Sequence, residues 1–289
     1  MTALDLRLTP ARPDLADLSL RGRVEAPRYV AGVARRVIAP SAPLRRRPAP
    51  DAPQDSEALM GEPVRVFDEA GGYAWVQLEQ DGYVGYLPSS VLGDRGAGPT
   101  HRIAALRTFV YPGPDLKLPP ASFLSLGAGV TAAGPSRSGY LPLATSGFVT
   151  ERHVTPVEAR EPDFVAVAER MLGTPYLWGG KTSLGLDCSG LVQLALAAAG
   201  VAAPRDSDQQ QGGLGRPVER TADLAGLRRG DLVFWRGHVG IMLDGDRLLH
   251  ANGHHMAVAI EPLGIAERRI RESGAGPITD IRRLQPPPA

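Results

Sequence analysis

The stretch GLDCSGLVQLALAAAG, residues 185–200, holds the only cysteine of the chain and sets it at the head of a run rich in alanine and leucine. Such a run is a strong helix former, and Gly200 suits the left-handed residue that ends a helix. Cys188 therefore falls in the first helical turn. There the unpaired N–H groups and the positive end of the helix dipole favour thiolate over thiol, so a lowered pKa is expected. A thiol at this place is either a small buried apolar group or a nucleophile, and a nucleophile needs a base. A single cysteine excludes an internal disulfide and any CxxC metal or redox pair.

Candidate bases lie downstream. GDLVFW, VGIML, RLLHANG and AVAIEPL are β-prone runs separated by glycine-bearing turns, with His238 opening the second and His250 near the end of the third. If these strands pair antiparallel, the two imidazoles come to one edge, with His250 orienting His238. Helices followed by antiparallel strands make an α+β domain. HANGHH also offers His250, His254 and His255 as metal ligands, but without a well-spaced fourth, and no metal is expected. His101 and His153 fall in linkers.

The front of the chain has another texture. EPVRVFDEAGGYAWVQLEQDGYVGYLPSSVL, residues 62–92, alternates strand-forming residues with EAGG and QDG turns, which predicts a small closed barrel over residues 30–95. SGYLPLATSGFV, residues 138–149, echoes DGYVGYLPSSVL and predicts a second, degenerate barrel over residues 96–152. Residues 1–29 read as a short helical or extended lead-in. Net charge is +1 with both signs interleaved, which argues against a nucleic-acid groove or a membrane-seeking face. The N-terminus lacks the apolar core of a secretory signal, and the apolar run 191–203, broken by Gln193, is short for a membrane span, so the expected location is the cytoplasm.

TPYLWGGKTSLGLDCSGLV, PRDSDQQ, GDLVFW, GHVGIML and LLHAN, in that order, resemble the NlpC/P60 family of papain-like cysteine peptidases, over about residues 160–285. The resemblance implies an α+β papain-like catalytic domain preceded by two small all-β SH3-like barrels. It makes Cys188 the nucleophile, His238 the general base, His250 the group that holds the imidazole, and Tyr176 a contributor to oxyanion stabilisation. Two SH3-like barrels ahead of such a domain resemble the γ-D-glutamyl-L-diamino acid endopeptidases of murein recycling. Those enzymes cut the bond between γ-D-Glu and a diamino acid, such as meso-diaminopimelate, in stem peptides with a free N-terminal L-Ala. By that resemblance Tyr83 lines the substrate pocket and Glu57, in preference to Glu62, meets the L-Ala amine. Trp178, Asp187, Ser189, Asp206 and Ser207 fit the polar and aromatic positions around the substrate. Each also has a plainer reading: Asp187 or Ser189 as cap of the nucleophile helix, Asp206 or Ser207 as cap of the next, Tyr83 as barrel core. No cofactor is implied, the partner is the murein peptide, and a monomer is expected. The rival readings are a non-catalytic wall-binding protein and a papain-like acyltransferase or amidase.

Overall fold

The computed structural model describes residues 4–219, 221 and 224–284. The first three residues of the lead-in, residue 285 of the expected catalytic domain, and residues 220, 222 and 223 within it lie outside the described residues. The chain divides into two compact units, residues 1–159 and 160–289.

In the first unit a seven-stranded sheet runs in the order 92–94, 33–37, 63–70, 73–78, 84–88, 41–45, 54–59. Its sharpest hairpin joins Ala70 to Tyr73 through Gly71 and Gly72, whose φ values of 59° and 81° are open to glycine and costly for other residues. Alternation turns Val64, Val66, Ala74, Val76 and Leu78 inward onto Leu44 and Leu87, and Tyr83 is buried in the same core. Residues 11–30 are not a free lead-in. They form a three-stranded sheet whose Leu15 is fully buried against Phe67 and Trp75, and the Arg7 carbonyl accepts from Val84 N–H at 2.8 Å. A second β body follows from His101 to Pro156, with its own core of Ile103, Leu124, Val130, Leu141 and Val149. Its ladders are two to four residues long, since proline at 112, 114, 119, 120, 135 and 142 withholds backbone donors.

The second unit begins with helix α1 (Phe164–Glu169), capped by Asp163, whose carboxylate accepts from Val165 N–H. Next come α2 (Cys188–Ala198) and α3 (Ser207–Gly213). The sheet contains β1 (Arg216–Pro217), β2 (Asp231–Trp235), β3 (His238–Met242), β4 (Arg247–Asn252), β5 (Ala257–Pro262) and β6 (Asp280–Arg283). The spatial order is β1-β6-β2-β3-β4-β5, every neighbour antiparallel. Helix α4 (Leu263–Ile270) follows β5 and buries Leu263, Ala266 and Ile270, one stripe at helical spacing.

Helix α2 is the centre of this unit. Every one of its residues except Ala197 is buried, which explains the absence of a polar face in its sequence. One internal polar group, the Gln193 amide, donates to the Ala203 carbonyl at 3.1 Å. The helix stops as its sequence predicts, with Gly200 at φ 79° just past the cap residue Ala199.

Candidate active site

The loop before α2 is fixed by one carboxylate. Asp187 is the N-cap, and its Oδ1 accepts from Gly190 N–H at 2.7 Å and from Ser189 Oγ at 3.3 Å, while Oδ2 accepts from Gly179 N–H at 2.8 Å. Arg205, wholly buried, completes the set with a fork: Nη1 to Oδ1 at 2.9 Å and Nη2 to Oδ2 at 2.7 Å. Arg205 also donates to Ser189 Oγ at 3.0 Å. The approach is close enough to require glycine at 190, where a Cβ would lie 2.2 Å from the Gly180 carbonyl oxygen. Gln210, fully buried on α3, ties that helix to the same turn by donating to the Ser189 carbonyl at 3.0 Å.

This scaffold places the Cys188 sulfur against the backbone N–H groups of Val239 and Ser189. Val239 follows His238, so the sulfur meets the very start of β3. A two-residue turn with Gly237 at φ 75° sets His238 opposite Trp235, and the rings sit 5.7 Å apart between centroids. On the far side His238 Nε2 shares a hydrogen bond with His250 Nδ1 at 2.9 Å, as the antiparallel β3–β4 pairing allows. His250 is fully buried, and its Nε2 bonds Glu261 Oε1 at 2.8 Å; Arg269 of α4 donates to the same oxygen. Glu261 lies on β5 two residues beyond Ala259, the partner of His250, and so faces the same side of the sheet.

The electrostatics correct one expectation. Burial pushes the Cys188 thiol up, to about 12, and the neighbouring Asp187 carboxylate pushes the same way; the Val239 N–H, Arg205 and the Ser189 N–H at the helix start act in the lowering direction and are outweighed. The lowered value expected from the helix start is thus reversed, because desolvation is larger. His238 is half-buried, yet the protein packed around it holds its pKa down to about 3, with His250 and Arg269 adding to the effect and Glu261 opposing it. Burial likewise lowers His250, against the pull of Glu261. Both groups therefore rest neutral, Cys188 as thiol and His238 as imidazole.

A stability prediction follows from these signs. For His238 the folded value lies below the ordinary 6.5, so the folded state binds fewer protons than the unfolded one and stability is lost as pH falls from 6.5 toward about 3. For Cys188 the folded value lies above the ordinary 9.0, so stability is lost as pH rises from 9.0 toward about 12. Thermal melting of Cys188→Ala should lack the thiol's share of the alkaline decline between about pH 9 and pH 10.5. Identical declines in the variant and the natural chain would contradict the buried-thiol account.

The remaining sequence-predicted residues are distributed as follows. Tyr176 stands beside the thiol: its backbone N–H donates to the Met256 carbonyl at 2.9 Å, and burial, with the charges of Cys188 and Asp187, raises its phenol. Trp178 is 65% exposed, and Asp187 and Ser189 are committed to the Arg205 cluster. Asp206 caps α3 in a capping box with Gln209, and Ser207 is the first residue of that helix. Glu57 and Tyr83 belong to the first unit, Glu57 buried on strand 54–59 opposite Pro43 and Tyr83 in the barrel core. Glu62 sits buried at the turn into strand 63–70.

Three residues escaped the sequence reading: Arg205, Glu261 and Arg269. Arg205 lies within the PRDSDQQ segment, and Glu261 is the one acid in the AVAIEPL strand, but neither betrays its partner locally. His250, His255 and Glu261 also bring ligand-capable atoms within 4.8 Å of one another. A metal ion there would have to break the His250–Glu261 bond and displace the Arg269 guanidinium, while His255 Nδ1 already meets Asn252 Oδ1 at 3.0 Å. No helix among the described residues is long and apolar enough to cross a membrane.

Comparison with known proteins gives this geometry a context. Residues 44–92 match the bacterial dipeptidyl-peptidase Sh3 domain, and residues 173–269 match the NlpC/P60 family. The chain is 30% identical over 223 residues to dipeptidyl-peptidase 6 of Lysinibacillus sphaericus, covering 76% of this chain and 78% of that protein. It is 29% identical over 225 residues to the γ-D-glutamyl-L-lysine dipeptidyl-peptidase of Bacillus subtilis, covering 68% and 71%. In fold it resembles the crystal structure of an NlpC/P60 family protein from Bacillus cereus, with TM-score 0.72 at 19% identity over 88% of this chain and all of that one. The thiol at the helix start, the paired imidazoles on adjacent strands and an SH3 domain ahead of them agree with these matches, and the chain belongs to the NlpC/P60 family of peptidases.

Proposed function

We propose that the chain is a cysteine peptidase that hydrolyses the bond between the γ-carboxyl of D-Glu and a diamino acid, L-Lys or meso-diaminopimelate, in stem peptides with a free N-terminal L-Ala. The observation that carries the reading is the Cys188 sulfur at the Val239 N–H, with His238 bonded in turn to His250. The names of two relatives, a γ-D-glutamyl-L-lysine dipeptidyl-peptidase and a dipeptidyl-peptidase, support the substrate class.

Because the resting pair is neutral, proton transfer accompanies attack. The thiol proton passes to His238 as sulfur bonds to the γ-carbonyl carbon, whose oxygen becomes an oxyanion near the first-turn N–H groups of α2 and Tyr176. Collapse breaks the C–N bond, and His238 returns the proton to the leaving amine. Water then attacks the thioester, His238 takes a proton from it, and the thiol is regenerated with release of L-Ala-D-Glu. No metal or organic cofactor enters this sequence. A free-amine requirement suits fragments of wall peptide rather than intact wall, which fits recycling by a monomer in the cytoplasm.

The test is incubation with L-Ala-γ-D-Glu-L-Lys and its meso-diaminopimelate analogue, with release of L-Ala-D-Glu as the expected result. Binding to intact sacculi with no cleavage of either peptide would favour the wall-binding rival. We assign amine recognition to Glu57 and Tyr83 on the family resemblance. Glu57→Ala and Tyr83→Phe should reduce kcat/KM for the free-amine peptide by about tenfold or more, the scale of a lost charge-assisted hydrogen bond. They should leave the low rate on the N-acetylated peptide unchanged. Equal loss on both substrates would assign the two residues to folding instead.

A further inference from the structure

We propose that Glu261 is a positioning residue which, through His250, selects the ring tautomer of His238; the inference rests on the reading above, in which His238 is the base. An ionised carboxylate can only accept hydrogen bonds. Burial alone would raise the Glu261 carboxyl, yet its bonds from His250 and Arg269 hold it below the ordinary carboxylate value, so it is the ionised form that faces His250. The 2.8 Å contact then requires the proton on His250 Nε2. A neutral ring with its proton on Nε2 has a bare Nδ1, which can only accept. The 2.9 Å bond to His238 must therefore be donated by His238 Nε2. It follows that Nδ1 of His238 carries the lone pair, and that is the nitrogen left to take the thiol proton.

Each link has a place in the fold that keeps it fixed. His250 is fully buried and cannot borrow water to satisfy the other tautomer, and Glu261 is 8% exposed. The other groups around the relay are Arg269, which shares Glu261 Oε1, and His255, engaged with Asn252. With the opposite polarity, Nδ1–H on His250 would donate to His238 Nε2, move the His238 proton to Nδ1, and leave no base facing the sulfur. The buried His250 Nε2 would also point its lone pair at the Glu261 carboxylate.

The experiment is long-range 15N–1H correlation of the histidine rings in 15N-labelled Cys188→Ala protein, followed by kinetics of Glu261 variants carrying Cys188. The expected result is Nε2–H on both His238 and His250. Glu261→Leu removes the acceptor: both rings should then populate Nδ1–H, and kcat should fall about 10- to 100-fold with KM unchanged. The fall is smaller than the roughly 10⁴-fold seen when a carboxylate bonded directly to the base is neutralised. Glu261→Gln retains a carbonyl oxygen for the same bond and should restore the Nε2–H pattern and most of kcat, which a role through charge alone would not permit. Nδ1–H on either ring of the protein with Glu261 intact, or unchanged tautomers in Glu261→Leu, would overturn the proposal. The tautomers are read without substrate. Failure to cleave the peptide with Nε2–H on both rings would sink the substrate assignment, while Nδ1–H with active cleavage would sink the relay.

Discussion

Replacing Cys188 by alanine should abolish release of L-Ala-D-Glu, with kcat lower by about 10⁵-fold or more, the scale found when the nucleophile of a concerted triad is deleted. The change is small for folding. The site is buried, the side chain shortens by one sulfur, and Asp187, Gly190 and Arg205 hold the helix start without it. At neutral pH the thiol is protonated in both the folded and the unfolded state, so the variant's thermal stability there should match that of the natural chain, the two diverging only above about pH 9. Cys188→Ser isolates the chemistry further: a hydroxyl fits the space but is a far weaker nucleophile, and His238 cannot compensate. Cleavage by either variant at more than about a hundredth of the natural rate would remove Cys188 from the mechanism.

The second large effect concerns stability. Arg205→Ala leaves the Asp187 carboxylate in a buried site with backbone donors but no countercharge. Breaking one half of a buried pair costs about 3–5 kcal/mol. The side chains are 0% and 10% exposed, so solvent screens little of this. The loss should appear as faster hydrogen exchange of α2 amides by about 10²- to 10⁴-fold, while exchange in the residue 33–94 barrel stays the same. Arg205→Lys should recover only part, because an ammonium cannot span Oδ1 and Oδ2 together. A change of less than about 1 kcal/mol on removing Arg205 would mean that Asp187 is satisfied by Gly179 and Gly190 alone.

Some of this was legible before any coordinates. The alanine- and leucine-rich GLDCSGLVQLALAAAG reads as a helix with the cysteine in its first turn, and the helix runs from Cys188 to Ala198. The four β-prone runs from Asp231 to Pro262 read correctly as strands, and their antiparallel order brings His238 to His250. Both inferences rest on local pattern. Arg205 and Asp187 are 18 positions apart, and nothing local in the PRDSDQQ segment ties its arginine to that carboxylate; only close packing in the fold takes the guanidinium out of water. Glu261 reads as an ordinary strand carboxylate until β5 is paired in register with β4. The strand at Asp280–Arg283 and helix α4 were missed because their apolar residues are sparse among arginines, and tertiary burial of a few positions is enough to fix them. The direction of the thiol's shift was misread for a related cause: a dipole is implicit in a helix, but desolvation is not.

The most direct test of the central claim, that Cys188 carries the acyl group, is acid-quenched mass spectrometry of the protein during single turnover with L-Ala-γ-D-Glu-L-Lys. A transient thioester that adds the L-Ala-D-Glu acyl group, without lysine, to the peptide containing Cys188 is the predicted species, accumulating further when water is the scarcer nucleophile. Full release of the dipeptide after Cys188 has been blocked by alkylation, or the same acyl group on any other residue, would contradict it.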